Sequence, residues 1–183
     1  MESTRLITAE DLARMGRKAF RFELVRGRMV RMNPTNSDHG RISLLIGSEV
    51  RAFVHSRRLG TVMVETGYTL SRAPDTVRGP DVSFVRAGRP GGLPSQGFVA
   101  GPPDLAVEVK SPDDTIPELM SKATEYLSAG AELVWIVDPG PQKVTVLAAG
   151  RPPRELGIDD ALDGGETLPG FALRVAEVFE HGE

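Results

Sequence analysis

The chain has no cysteine among its 183 residues. That absence excludes disulfide scaffolds, thiol nucleophiles and cysteine-ligated zinc together. It also lacks an apolar run approaching the roughly 18 to 20 residues that a membrane-spanning helix requires. Residues 1–20 are interrupted by Arg, Glu and Asp and offer no apolar signal core, so the sequence predicts a cytoplasmic protein without a membrane role. Aromatic residues make up only 5%, too few to advertise a nucleic-acid platform by composition. Lysine is scarce as well, confined to Lys18, Lys110, Lys122 and Lys143 against 18 Arg.

What is present is the make-up of a water-soluble domain, 40% hydrophobic and 26% charged with a mean hydropathy of -0.17. The length suits one domain, 1–183, better than two. The formal charge of -3 conceals an asymmetry: residues 1–58 hold 12 Lys and Arg against 6 Asp and Glu, whereas residues 101–183 hold 6 against 16. A basic front half suits a polyanionic partner, and equally suits mutual attraction of the two halves in the fold.

Periodicity predicts a short helix from Thr8 to about Met15 and a hairpin over Phe22 to Met32 turning at Arg26-Gly27. A long amphipathic helix follows from Ser37 to about Ser56. Strands are expected over Thr61 to Leu70, Asp81 to Arg86 and Asp104 to Lys110, with a Gly- and Pro-rich loop at 87–103. A helix from Glu118 to Ala129, stopped by Gly130, leads into the apolar strand Leu133 to Val137, with Trp135 in the core. Val144 to Leu147, pieces around Leu156 and Leu168, and a last helical turn at Val175 to Phe179 complete a mixed α/β chain.

The chemistry-bearing segment is Glu108-Val109-Lys110. On a strand Glu108 and Lys110 share a face, their Cα atoms roughly 7 Å apart, and Val107 and Val109 face the core. Two such charges inside an apolar strand cost several kcal/mol, on the order of the burial penalty for unpaired ions, unless something compensates them. Asp104 is a poor partner for Glu108, because four residues of strand separate them by roughly 13 Å. Two carboxylates sharing a Mg²⁺ must each approach it to about 2.1 Å, so the partner should come from another strand. Asp81 qualifies. Lysine is compact and its pKa is adjustable, unlike the permanently charged Arg, which makes Lys110 and Lys122 candidates for more than surface charge. Lys122 and Tyr126 are four apart and share a helix face. Glu65, central in its expected strand, is a weaker candidate acid.

The order Asp81, Glu108-Val109-Lys110, Lys122-x-x-x-Tyr126 resembles the PD-(D/E)xK nuclease superfamily. Within it the text is similar to the Uma family, grouped with restriction endonucleases: Phe22-Glu23-Leu24-Val25-Arg26-Gly27, His39, Gly79-Pro80-Asp81-Val82, Pro103-Asp104-Leu105-Ala106-Val107-Glu108-Val109, Ser111-Pro112, and Lys122 through Tyr126-Leu127 and Gly130 to Trp135-Ile136-Val137-Asp138-Pro139. The resemblance implies a restriction-endonuclease-like mixed β-sheet flanked by helices, with an N-terminal hairpin and helix. It further implies Mg²⁺-dependent (or Mn²⁺-dependent) cleavage of duplex DNA by a homodimer. Asp81 and Glu108 would be metal ligands with the Val109 carbonyl as a third. Lys110 would steer the water, and Lys122, Tyr126, Glu23 and His39 would surround the site. Many members lack a lysine at the position of Lys110, which leaves the helix lysine to serve; this chain carries both. Each residue also has a plainer reading. Asp81 would start a strand, Glu108 and Lys110 would form a structural ion pair, Lys122 would be solvated, Tyr126 would pack in the core, His39 would cap its helix, and Glu23 would be an ordinary hairpin residue. The corresponding alternative function is a catalytically inactive nucleic-acid-binding or scaffold protein that keeps the fold.

Overall fold

A computed structural model describes residues 5–32 and 34–180. The helices are α1 (Ala9–Arg14), α2 (Ser37–Arg57), α3 (Ile116–Ser128) and α4 (Val175–Phe179), with a 3-10 turn at Gly16–Arg21. The strands are β1 (Phe22–Val25), β2 (Arg28–Arg31), β3 (Gly60–Val64), β4 (Tyr68–Ser71), β5 (Thr76–Arg78), β6 (Val82–Arg86), β7 (Val99–Ala100), β8 (Leu105–Val109), β9 (Leu133–Asp138), β10 (Lys143–Ala148), β11 (Arg154–Leu156), β12 (Ala161–Asp163) and β13 (Ala172–Arg174). Six strands form a mixed sheet in the order β11-β10-β9-β8-β6-β3, five form a second in the order β2-β1-β5-β4-β7, and β12 pairs with β13.

Strand β8 is the axis of the larger sheet. It runs antiparallel to β6 and parallel to β9, the parallel step being made by α3 as the crossover. Leu105, Val107 and Val109 join Ile42, Ile46, Val50 and Val54 of α2 in one core, together with Val82, Phe84 and Trp135. The alternate residue Ala106 packs with Leu119, Ala123 and Tyr126 of α3, so Glu108 faces α3 by the same period of two. The five-stranded sheet lies on that α3 side too, joined to it by Tyr68, Val85 and Val99. The Tyr68 hydroxyl donates to Ser83 at 2.8 Å.

Helix starts are fixed by side chains. The Asn36 carbonyl oxygen of the side chain accepts the His39 N–H at 2.9 Å, which sets the first turn of α2 and the position of His39. Thr115 and Glu118 form a reciprocal capping box at the start of α3; such boxes satisfy two otherwise orphaned donors.

Four expectations differ from what is seen. The strand expected over Thr61 to Leu70 is two strands, β3 and β4, which belong to different sheets. Glu65 takes φ 47, a left-handed conformation that stops the ladder and turns the chain into the second sheet. The Pro-, Asp- and Gly-containing segment between the strands expected at 61–70 and 81–86, which reads as a turn, contains β5, which pairs with β1 and β4. The 87–103 loop contributes the two-residue strand β7. Leu168, expected in a strand, sits fully buried in the turn between β12 and β13, where burial alone accounts for its apolar character.

Candidate active site

The fold brings six of the seven side chains singled out in the sequence to one place. Glu108, near the end of β8, is 3% exposed. Its Oε2 lies 2.8 Å from the Lys122 ammonium and its Oε1 accepts the Tyr126 hydroxyl at 2.9 Å, so the shared α3 face delivers both groups to one carboxyl. Lys122 also lies 2.9 Å from Glu23 Oε1. Glu23 reaches it from β1, in the other sheet.

Asp81 precedes β6 and is drawn to the end of β8. Its N–H donates to the Val107 carbonyl at 3.0 Å, and its Oδ2 accepts the Val109 N–H at 2.6 Å. Its other oxygen faces His39 Nε2 at 3.2 Å. Asp81, just before the neighbouring strand β6, thus reaches the end of β8 at Val109, one residue from Glu108. Asp104 is occupied at the other end of β8, accepting the Arg86 N–H at 2.8 Å. Glu65 is exposed at the turn between β3 and β4.

Lys110 is placed apart. It follows the last residue of β8, is partly buried, and donates to the Ser111 carbonyl at 3.4 Å. The ammonium that meets Glu108 is that of Lys122, so the same-face spacing of Glu108 and Lys110 does not become a contact.

Two residues of the network went unnoticed in the sequence. Arg78 donates through Nε and Nη2 to Glu125 at 2.7 and 3.0 Å, and through Nη1 to Glu23 Oε2 at 2.7 Å. The Gly79 N–H donates to Glu23 Oε1 at 3.0 Å. Glu125 stands three residues after Lys122 on α3, a spacing that marks it as a neighbour of that face. Arg78 carried no such mark, because its strand read as a turn.

The electrostatics follow from burial and proximity. Burial raises the Glu108 carboxyl; Lys122 opposes this, the charges of Asp81 and Glu23 add to it, and the group is pushed up to about 8. Burial pulls Lys122 downward, but Glu108 and Glu23 outweigh it and the ammonium stays protonated well beyond its ordinary range. Glu23 would rise through burial, yet Lys122 and Arg78 hold its carboxyl below the usual value. His39 is lowered by burial and raised more strongly by its bond to Asp81, by the Asp81 charge, and by Asp114 and Glu108. Tyr126 is pushed up by burial and by the nearby carboxylates, and remains a hydroxyl donor. Three carboxyls (Glu23, Glu108, Glu125) therefore face two cations, Arg78 and Lys122, while Asp81 faces His39.

This donor set suits a hard divalent cation. Among the described residues no three His, Asp or Glu side chains converge as a closed cage, but Mg²⁺ ordinarily uses one or two carboxylates and keeps several waters. Asp81 and Glu108 are close enough for one charge to raise the other's pKa, and each carboxylate oxygen retains a second lone pair beside its present partner. The carbonyl of Val109 is in the same stretch.

Comparison with known proteins bears on the fold and the family. No curated protein matches the chain. Among solved structures, a crystal structure described as a "putative nuclease belonging to DUF820" from Anabaena variabilis superposes with a TM-score of 0.82 at 20% identity, covering 94% of this chain and 97% of that one. At that identity the likeness speaks for the fold. No helix among the described residues is long and apolar enough to cross a membrane. A family model, Uma2, described as "Putative restriction endonuclease", matches residues 9–176, and the chain belongs to the Uma2 family.

Proposed function

We propose that the chain is a metal-dependent endonuclease that hydrolyses phosphodiester bonds in DNA, with Asp81, Glu108 and the Val109 carbonyl holding Mg²⁺ or Mn²⁺. What supports this most directly is geometry: the Asp81 carboxylate is fixed on the Val109 N–H at 2.6 Å, one residue from the buried carboxyl of Glu108, which Lys122 and Tyr126 orient. Lys122 offsets part of the cost of burying Glu108, and a divalent ion beside Asp81 would offset more. A bound divalent ion supplies charge neutralisation at the phosphate and a more acidic water than bulk water with its pKa near 15.7. The chain's own residues do the rest. Lys122 holds Glu108 and Glu23 in place and offers fixed positive charge to the charge that develops on the phosphate. Tyr126 fixes the other oxygen of Glu108. His39, against Asp81, is placed to exchange a proton with the attacking water or leaving group. Lys110, free of any short bond, meets the phosphate once substrate is present. Water oxygen attacks phosphorus, the bond to the departing sugar oxygen breaks, and the proton lost by water is balanced by the one that oxygen gains. A homodimer and a cytoplasmic setting belong to the same reading.

The test is cleavage of supercoiled plasmid and of single-stranded circular DNA with Mg²⁺ or Mn²⁺. Wild type cleaves, and Asp81→Ala and Lys110→Ala lose most of that activity while their far-UV spectra stay unchanged. Equal cleavage by all three proteins would dispose of the assignment.

A second reading is a binding protein that no longer turns over. It is favoured by the closure of the charge network on itself, Lys122 being paired with both Glu23 and Glu108. Calorimetric Mn²⁺ binding that depends on Asp81 and Glu108, with no cleavage of plasmid or oligonucleotide, would select it.

A further inference from the structure

A groove of about 770 Å³ runs from Glu23 and Asp81 past Phe22, Arg31, Val64 and Phe98. That is the volume of a pocket for a small ligand, which suits one or two flat bases. Its walls are largely apolar, and Phe22 and Phe98 are each only half-buried. The Phe98 ring is held by design of the backbone: a Cβ on Gly67 would come within 2.4 Å of the ring's Cδ1, so the ring rests directly on a residue that has none. A phosphate backbone gains nothing from such walls, whereas the flat face of a nucleobase does.

The charge at the rim is complementary. Arg31 lines the groove, and Arg17 and Lys18 lie in the chain between the lining residues Gly16 and Ala19. All three are exposed, and no acidic side chain among the described residues pairs with them. Glu65, also in the lining, is an acceptor suited to exocyclic amino groups of bases and ill suited to phosphate.

We propose that this groove takes an unpaired polynucleotide strand, rather than the intact duplex expected from the sequence. A base stacks on Phe98 and Phe22 while the phosphates pass Arg17, Lys18 and Arg31 on the way to Asp81. The idea rests on the nuclease reading for its direction, but its test is independent of turnover. Fluorescein-labelled oligothymidylate, and the same strand annealed to its complement, are titrated with the full chain in Ca²⁺ and followed by anisotropy. The single strand binds at least about tenfold more tightly than the duplex, and Phe98→Ala weakens it about 5- to 150-fold, the range for loss of one stacked base. Phe98→Leu, which keeps an apolar contact with Gly67, shows a similar loss, so impaired folding does not explain it. Arg31→Gln reduces the magnitude of the slope of log affinity against log salt by about 0.7, one phosphate contact on a single strand. Duplex bound as tightly as single strand, or Phe98→Leu bound like wild type, overturns the assignment. Retained single-strand preference with no cleavage of either substrate in Mg²⁺ supports the groove's occupant and counts against the nuclease reading alone.

Discussion

The backbone N–H of Val109 donates a 2.6 Å hydrogen bond to the carboxylate of Asp81. A side chain thereby closes the sheet at the point where the ladder between β6 and β8 runs out, since the last paired residues are Val82 and Val107. The candidate ligand is thus also a structural clamp, and the two roles can be separated. Asp81→Asn retains an acceptor for the Val109 N–H and should melt within about 1 kcal/mol of wild type, whereas Asp81→Ala leaves that donor unpaired and should lose about 1–3 kcal/mol. Both should fail to bind Mn²⁺ by calorimetry. Thermal melts and titrations on the two variants check this.

Lys110 and Lys122 are expected to behave differently. Lys122→Ala removes the ammonium between two buried carboxylates, a change worth about 3–5 kcal/mol of stability, and activity falls with it. Lys110→Ala touches one long bond at the edge of the site and should change stability by no more than about 0.5 kcal/mol, while nicking drops on the order of 10²-fold. Denaturant midpoints beside nicking rates distinguish the two lysines, and equal destabilisation by both would contradict the placement.

Arg78 grips Glu125 as a planar fork while reaching Glu23 with its remaining nitrogen. Lysine cannot reproduce that geometry. Arg78→Lys should therefore be destabilised by nearly as much as Arg78→Met, within about 1 kcal/mol, both losing about 3–5 kcal/mol. A fully rescued Lys variant in urea titration would show that charge alone is needed.

The pH dependence has a definite sign. Glu108 titrates near 4.5 when unfolded and is pushed up to about 8 in the fold. Between these values the native state holds a proton that the unfolded chain has released, so stability in EDTA should fall as pH rises through the window and level off above it. Glu23 acts in the opposite direction: its carboxyl lies below 4.5 in the fold, so its stabilisation is present above that pH and lost on acidification. Mg²⁺ should stabilise most at the alkaline end, where Glu108 gives up its proton without a proton–metal competition. Thermal melts from about pH 3 to pH 8, with and without Mg²⁺, measure both slopes; Glu108→Gln should reduce the one seen in EDTA above pH 4.5.

Much of this arrangement is legible in the sequence. The period of two in Leu105–Val109 placed the valines against α2 and Glu108 opposite them, and the long spacing from Asp104 excluded it as Glu108's partner. Lys122 and Tyr126 were readable as a pair because helical spacing is rigid. The Glu108–Lys110 relation was not, because side-chain alternation holds only while the strand continues, and β8 ends at Val109. Arg78 escaped notice because its three-residue strand is stabilised by β1 and β4, partners remote in sequence that no local pattern announces. The split of β3 from β4 likewise depends on a single backbone conformation at Glu65.

The chain Glu125–Arg78–Glu23–Lys122–Glu108 stitches one sheet to the helix covering the other. Its sensitivity to insertions and deletions is accordingly lopsided. Loss of one residue within β1 would rotate Glu23 to the far side of its strand, cutting the stitch without removing any participant. Added residues at the β1–β2 hairpin tip would leave it intact. Length variation in this region should thus be tolerated at the tip and punished a few residues away.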